Sequence, residues 1–221
     1  MRLSQDTAKK ILDASITLFA EHGFQETSLR DITGLAKVNL ASVNYHFGSR
    51  KALVQAVAEH FLTPLCHDIE SRISERMVDE TTIHPEELFE MLVKSVLRAA
   101  GSRPQGVVLF MRLMGFAYLE SQSDLRPFII KQYGQTFKRF MCLLHASVPN
   151  VSEDEFFWRT HLMLGAAILP LSSHQALNEI ESDAYDSQSS VEITLHRLVP
   201  FLVAGLSASA DTVSEKVEKL L

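Results

Sequence analysis

The stretch Thr27–Arg50 reads TSLRDITGLAKVNLASVNYHFGSR, and its punctuation decides the fold. Ser28 followed three residues later by Asp31 fits a capping box, in which hydroxyl and carboxylate satisfy helix-end N–H groups reciprocally. A short helix follows, with Leu29, Ile32 and Leu35 expected to face inward, and Ala36-Lys37-Val38 forms a turn. Asn39 is a good N-cap for a third helix through about Tyr45. Gly48-Ser49 interrupts the chain again, and a fourth helix begins near Arg50. Two short helices joined by about three residues make either a helix-turn-helix unit or an ordinary helical hairpin.

Upstream, Ile11, Leu12, Ser15, Ile16, Leu18 and Phe19 place an apolar stripe at helical spacing. That first helix should run from Ser4 or Asp6 to about His22, with Gly23 where a C-cap belongs. Downstream the pattern is helical throughout. The fourth helix should reach the seventies, ended or kinked at Pro64. Pro85-Glu86-Glu87 opens a fifth, the sixth carries Phe110, Leu113, Met114, Ala117 and Tyr118, and a seventh covers about 124–147.

Two late segments, about 152–177 and 191–206, are apolar all round. A helix of that kind needs cover on more than one side. An intersubunit four-helix bundle in a homodimer would provide it, with Met163, Ala166, Ala167, Leu202 and Ala204 at the interface. Pro170 and Pro200 should bend these helices.

Composition agrees with an all-α chain. Of 221 residues only nine are glycine and seven proline, and 46% are apolar, which disfavours many-stranded architectures and excludes global disorder. The two cysteines, Cys66 and Cys142, have no zinc or disulfide spacing, so a reduced cytoplasmic protein is expected, without a membrane span, metal or cofactor. No hydrolase, Walker, dinucleotide or zinc-protease motif is present, and no catalytic residue stands out. The net charge is −6, yet residues 1–60 carry seven Lys/Arg against six acids. One segment is thus spared the acidity of the rest, which suits an asymmetric set of partners.

The Thr27–Arg50 segment, with Thr27, Ile32, Ala36, Val38 and the Tyr45-His46-Phe47 run, resembles the DNA-binding signature of the TetR family of transcriptional repressors. So does the upstream run from Ile11 to Phe24. The match covers about the first 60 residues. Lys37 stands where the family usually has glycine, Asn44 where it often has an aromatic, and Arg50 where lysine is common. The resemblance implies a helix-turn-helix DNA-binding domain, 1–48, and a helical ligand-binding and dimerisation domain, 49–221, with about nine helices in all.

Such a unit places its third helix in the major groove of a palindromic operator. Asn39, Ser42 and Asn44 then meet base edges or phosphates, while Lys37, Tyr45, His46 and Arg50 are expected on phosphates. Thr27 and Ser28 could hold a phosphate at a helix N-terminus.

The aromatic and methionine residues of the second domain are core by default, but the same side chains line cavities for apolar effectors. Phe110, Leu113, Met114, Phe137 and Trp158 are the candidates, with His161 or Arg103 for a polar head group. Four blocks, Val43–Val57, Phe110–Gly115, Phe157–Ala167 and Leu198–Gly205, are similar to the fatty-acid-responsive regulators of that family in pseudomonads and related bacteria. This implies a repressor of fatty-acid degradation genes, released by a long-chain fatty acid or its acyl-CoA. Two other readings are a TetR-like regulator of efflux or another pathway, answering a different bulky apolar ligand, and a helical enzyme or scaffold that binds no DNA.

Overall fold

The computed structural model describes residues 2–77, 82–101, 104–118 and 124–209. Among them are ten α-helices: α1 (Arg2–His22), α2 (Leu29–Ala36), α3 (Leu40–Phe47), α4 (Arg50–Arg76), α5 (Pro85–Ala100), α6 (Pro104–Ala117), α7 (Leu125–Ala146), α8 (Glu153–Ser172), α9 (His174–Tyr185) and α10 (Val191–Ser207). No helix among the described residues is long and apolar enough to cross a membrane. The helices form two compact units. One holds the described residues up to His67 together with Val96–Gln135, the other Asp68–Ser95 together with the described residues from Thr136 onward.

In the first unit α1, α2 and α3 close around Ile11, Phe19, Ile32 and Val43, all with essentially no exposed surface. Burying each such side chain is worth about 1.5–3 kcal/mol. The first half of α4 adds Leu53, Val57, Phe61, Leu62 and Leu65, and α6 adds Leu109 and Leu113. A stack of rings ties α6 to the three-helix unit: Phe19 lies 4.5 Å from Phe24, and Phe24 lies 4.6 Å from Phe116. Beside it the Arg112 guanidinium donates to the Ala20 carbonyl in the last turn of α1, an end rich in unpaired acceptors. Gly106 permits a close approach at the start of α6, since a Cβ there would sit 2.1 Å from the Ala100 carbonyl oxygen.

In the second unit α8 and α10 pack together. Leu171, Leu195, Leu198, Leu202 and Leu206 are buried. Arg159 is buried among them and is fully engaged. It donates to the Leu206 and Ala208 carbonyls (2.7 and 2.6 Å) and to Glu155 (3.0 Å), which compensates its charge at the C-terminal end of α10.

Several boundaries differ from expectation. α3 extends to Phe47, and Leu35 is exposed rather than inward-facing. Pro64 does not end α4. Its missing N–H costs one bond to the preceding turn, but Phe61, Leu62, Leu65 and Ile69 around it are buried and hold the helix together. The segment read as one helix over about 152–177 is two, because α8 stops shortly after Pro170 and Ser173 (φ −109°, ψ 24°) separates it from α9. Helix α9 buries no residue, so the apolar periodicity that marks a packed helix is weak there.

Candidate nucleic-acid interface

The turn between α2 and α3 is the local feature on which the site is built. The capping box at α2 is complete. The Asp31 N–H donates to Ser28 Oγ (3.2 Å), and the Ser28 N–H and hydroxyl both donate to Asp31 Oδ2 (2.8 and 2.6 Å). These bonds favour the ionised carboxylate and hold the Asp31 pKa below its usual 3.8. At the other end of α2, Lys37 adopts the left-handed conformation (φ 55°, ψ 47°), which the family's usual glycine would adopt without a Cβ penalty. The turn closes through the Lys37 N–H on Gly34 O (3.3 Å) and the Val38 N–H on Thr33 O (3.0 Å).

Helix α3 is capped by Asn39, whose Oδ1 accepts from the Ser42 N–H and from the Ser42 hydroxyl, both at 2.9 Å. The Asn39 amide oxygen and the Ser42 hydroxyl proton are thereby engaged with each other. Val43 faces the core with no exposure, which leaves Leu40, Ala41, Asn44 and Tyr45 as the outward face. Tyr45 is 80% exposed, and its ring meets His46 edge-on at 5.0 Å. Lys37 is exposed on the turn that leads into this face, and Arg30 is exposed on α2. Leu40, Ala41 and Arg30 were missed by the sequence reading. The signal for Leu40 and Ala41 was available: with Val43 inside, helical spacing turns both outward with Asn44 and Tyr45.

Two of the expected phosphate contacts, Thr27 and Arg50, have partners within the protomer. Thr27 is 2% exposed, and its hydroxyl points back to the Gly23 and Leu18 carbonyls (2.8 and 3.2 Å), pinning the loop after α1. Arg50 is half-buried. Its guanidinium donates to the Phe24 and Thr27 carbonyls and lies 5.8 Å from the Phe19 ring centroid, and desolvation lowers its pKa. It braces the loop that positions α2. Nothing local in the sequence distinguishes this use from a phosphate contact, because the acceptors lie 23 and 26 residues away.

The expected effector residues belong to both units. Phe110 and Leu113 are buried in the core of the first unit, with Met114 half-buried on the same helix. Phe137 is half-buried in the second unit. Trp158 and His161 belong to the surface of α8: Trp158 is 64% exposed, and His161 bonds the Phe157 carbonyl of its own helix at 2.7 Å. Arg103 lies outside the described residues. A recess of about 590 Å³ along α9 is lined by polar side chains, among them His174, Asn178, Glu179 and Asp183, which do not suit an apolar chain.

Of the expected dimer contacts, Leu202 is buried within the protomer, Met163, Ala166 and Ala167 are half-buried, and Ala204 is exposed. The exposed apolar face consists instead of Phe157, Trp158, Leu162 and Leu169 on α8 with Ile193 and Phe201 on α10. Period alone showed that these helices are apolar all round, but not which side the protomer itself covers.

Residues 11–57 match the family described as bacterial regulatory proteins, tetR family, and residues 90–205 match the tetracyclin repressor-like C-terminal domain. Over 79 residues the chain is 43% identical to the HTH-type transcriptional repressor Rv3405c of Mycobacterium tuberculosis, covering 34% of this chain and 42% of that protein. Over 56 residues it is 38% identical to the HTH-type transcriptional repressor KstR2 of Rhodococcus jostii, covering 25% and 28%. The chain thus spans about two fifths of the length of the first of these curated relatives and less of the second. A solved TetR-like transcriptional regulator from Rhodococcus sp. RHA1 aligns with 92% of this chain and 97% of its own at a TM-score of 0.53 and 16% identity, a likeness of fold.

Proposed function

The chain belongs to the TetR family of bacterial regulatory proteins, and from that premise we propose that it is a cytoplasmic, homodimeric repressor that reads a palindromic operator through α3. The observation that carries this reading is the outward face of α3. A tyrosine there is 80% exposed, with Asn44 beside it and Lys37 on the preceding turn also exposed. A recognition helix presented in this way fits the major groove, with half-sites one helical turn, ~34–36 Å, apart or a near multiple. His46, Arg30 and Lys37 are the groups placed to meet phosphates, and Asn44 and Tyr45 those placed to meet bases or the adjacent backbone.

Pairing of two copies is supported by the exposed face of α8 and α10. Six large apolar side chains stand in contact with solvent there, flanked by Gly165, Ala204 and Gly205, which let helices approach closely. An isologous pair of such faces forms a four-helix bundle and gives the two recognition helices a twofold relation.

The effector we favour is a long-chain fatty acid or its acyl-CoA. Support comes from the resemblance to PsrA of pseudomonads and from the apolar character of α6, which carries Phe110, Leu113 and Met114. Helix α6 also offers a route to the DNA-binding helices. Arg112 holds the end of α1, and Phe116 stacks on Phe24. A ligand that displaces α6 disturbs both contacts. To take the repressor from 99% to 1% competent it must prefer the released state by about 5.5 kcal/mol, which several differently buried methylenes supply at roughly 0.8 kcal/mol each.

The test is selection of binding duplexes from a randomised pool, followed by titration of acyl ligands of increasing length against the complex. An enriched inverted repeat, released by long chains and not by short ones, is the expected result. Absence of any enriched sequence overturns the repressor reading. Equal release by all lengths, or by none, overturns the fatty-acid reading and leaves the efflux-type alternative.

A further inference from the structure

The N-terminal residues of a recognition helix are the ones that contact base edges. In this chain the polar groups at that end of α3 face one another. Asn39 Oδ1 accepts both the Ser42 N–H and the Ser42 hydroxyl at 2.9 Å, closing the cap. What remains outward in the first turn is Leu40, 43% exposed, and Ala41, also exposed. A leucine that keeps 43% of its surface exposed at that position presents an apolar group outward. On a major-groove base edge the apolar feature is the C5-methyl of thymine. We propose that Leu40 and Ala41 read thymine methyl groups, so that apolar contact carries specificity at the start of α3. The proposal rests on the operator-binding reading above and names the chemical feature that the operator must present.

Asn44 and Tyr45 follow Leu40 and Ala41 by one helical turn and extend the same face. The half-site therefore carries thymine where the N-terminus of α3 enters and polar base edges or backbone where Asn44 and Tyr45 follow. Lys37, on the turn just before, adds charge without base preference.

Replacing thymine by deoxyuridine removes only the methyl group and keeps base pairing, so it isolates this contact. Duplexes enriched from a randomised pool by the full chain are resynthesised with each half-site thymine replaced in turn, and their affinities are measured for the unmodified chain and for Leu40→Ala. The expected result is a loss of about fourfold for each methyl that is read. That loss should shrink or vanish at the position facing Leu40 in the variant. Leu40→Gln supplies a second readout, because a glutamine there should move the selected base toward adenine. No loss at any thymine, or the same loss for both chains, overturns the proposal and leaves operator binding intact. Failure to enrich any sequence overturns the operator-binding reading and the proposal with it.

Discussion

Lys37 sits under two opposed demands. Its backbone is left-handed at φ 55°, which costs any residue with a Cβ about 1–2 kcal/mol relative to helix, yet its charge stands on the turn into the recognition face. Lys37→Gly should therefore raise stability by about 0.5–1 kcal/mol, after the larger backbone entropy of glycine is counted. It should also weaken operator binding for all sequences and lower the slope of log K against log salt by about two, one for each protomer of the dimer. Thermal unfolding and binding at several salt concentrations check the two halves separately. Arg50 makes the opposite case. Its fork bridges the Phe24 and Thr27 carbonyls, and a lysine has only one point of charge to offer. Arg50→Lys should cost roughly 1–3 kcal/mol in a denaturant titration while leaving the salt slope unchanged. A changed slope with unchanged stability would return Arg50 to the phosphate backbone.

At the scale of elements the caps govern. Asp31 has a folded pKa below its usual 3.8, so below that value the unfolded chain binds the extra proton. The stability this carboxylate provides is complete above the unfolded value and is lost as pH falls through the folded one. Asp31→Asn should lower stability at neutral pH and flatten the acid-unfolding curve below about pH 4. A variant curve parallel to that of the unmodified chain would remove Asp31 from the acid response. The same caps explain how much could be read in advance. Ser28, Asp31, Asn39 and the Lys37 turn act within a few residues, so sequence placed α2 and α3 to within two residues. Arg50, Thr27 and Arg112 act through carbonyls that tertiary folding brings to them, and the sequence carries no local sign of those partners. The chemistry of Trp158 suits a pocket as well as an interface, and its exposure on α8 depends on what the neighbouring helices cover, which its sequence neighbours do not show. The apolar character of Leu40 suggests core, and only its helical spacing from Val43 turns it outward.

For the whole molecule the question is whether two copies act together. The exposed apolar face of α8 and α10 predicts a dimer, and Leu162→Asp places a charge at its centre, which a desolvated interface tolerates poorly. Sedimentation should find the unmodified chain dimeric and the variant monomeric, with helix content retained and operator affinity reduced. A monomeric unmodified chain at micromolar concentration would remove the twofold arrangement and the palindrome with it.

Both halves of the proposal meet in one titration, the salt dependence and stoichiometry of binding to the enriched duplex. A dimer gripping two half-sites takes up two protomers per duplex and loses affinity linearly in log salt, with a slope set by the phosphates that its cationic groups neutralise. Saturation at two protomers, a slope of several units, and loss of sequence preference in Asn44→Ala or Tyr45→Ala are the predicted result. Binding that ignores salt, or that is as strong on a random duplex as on the enriched one, would contradict it.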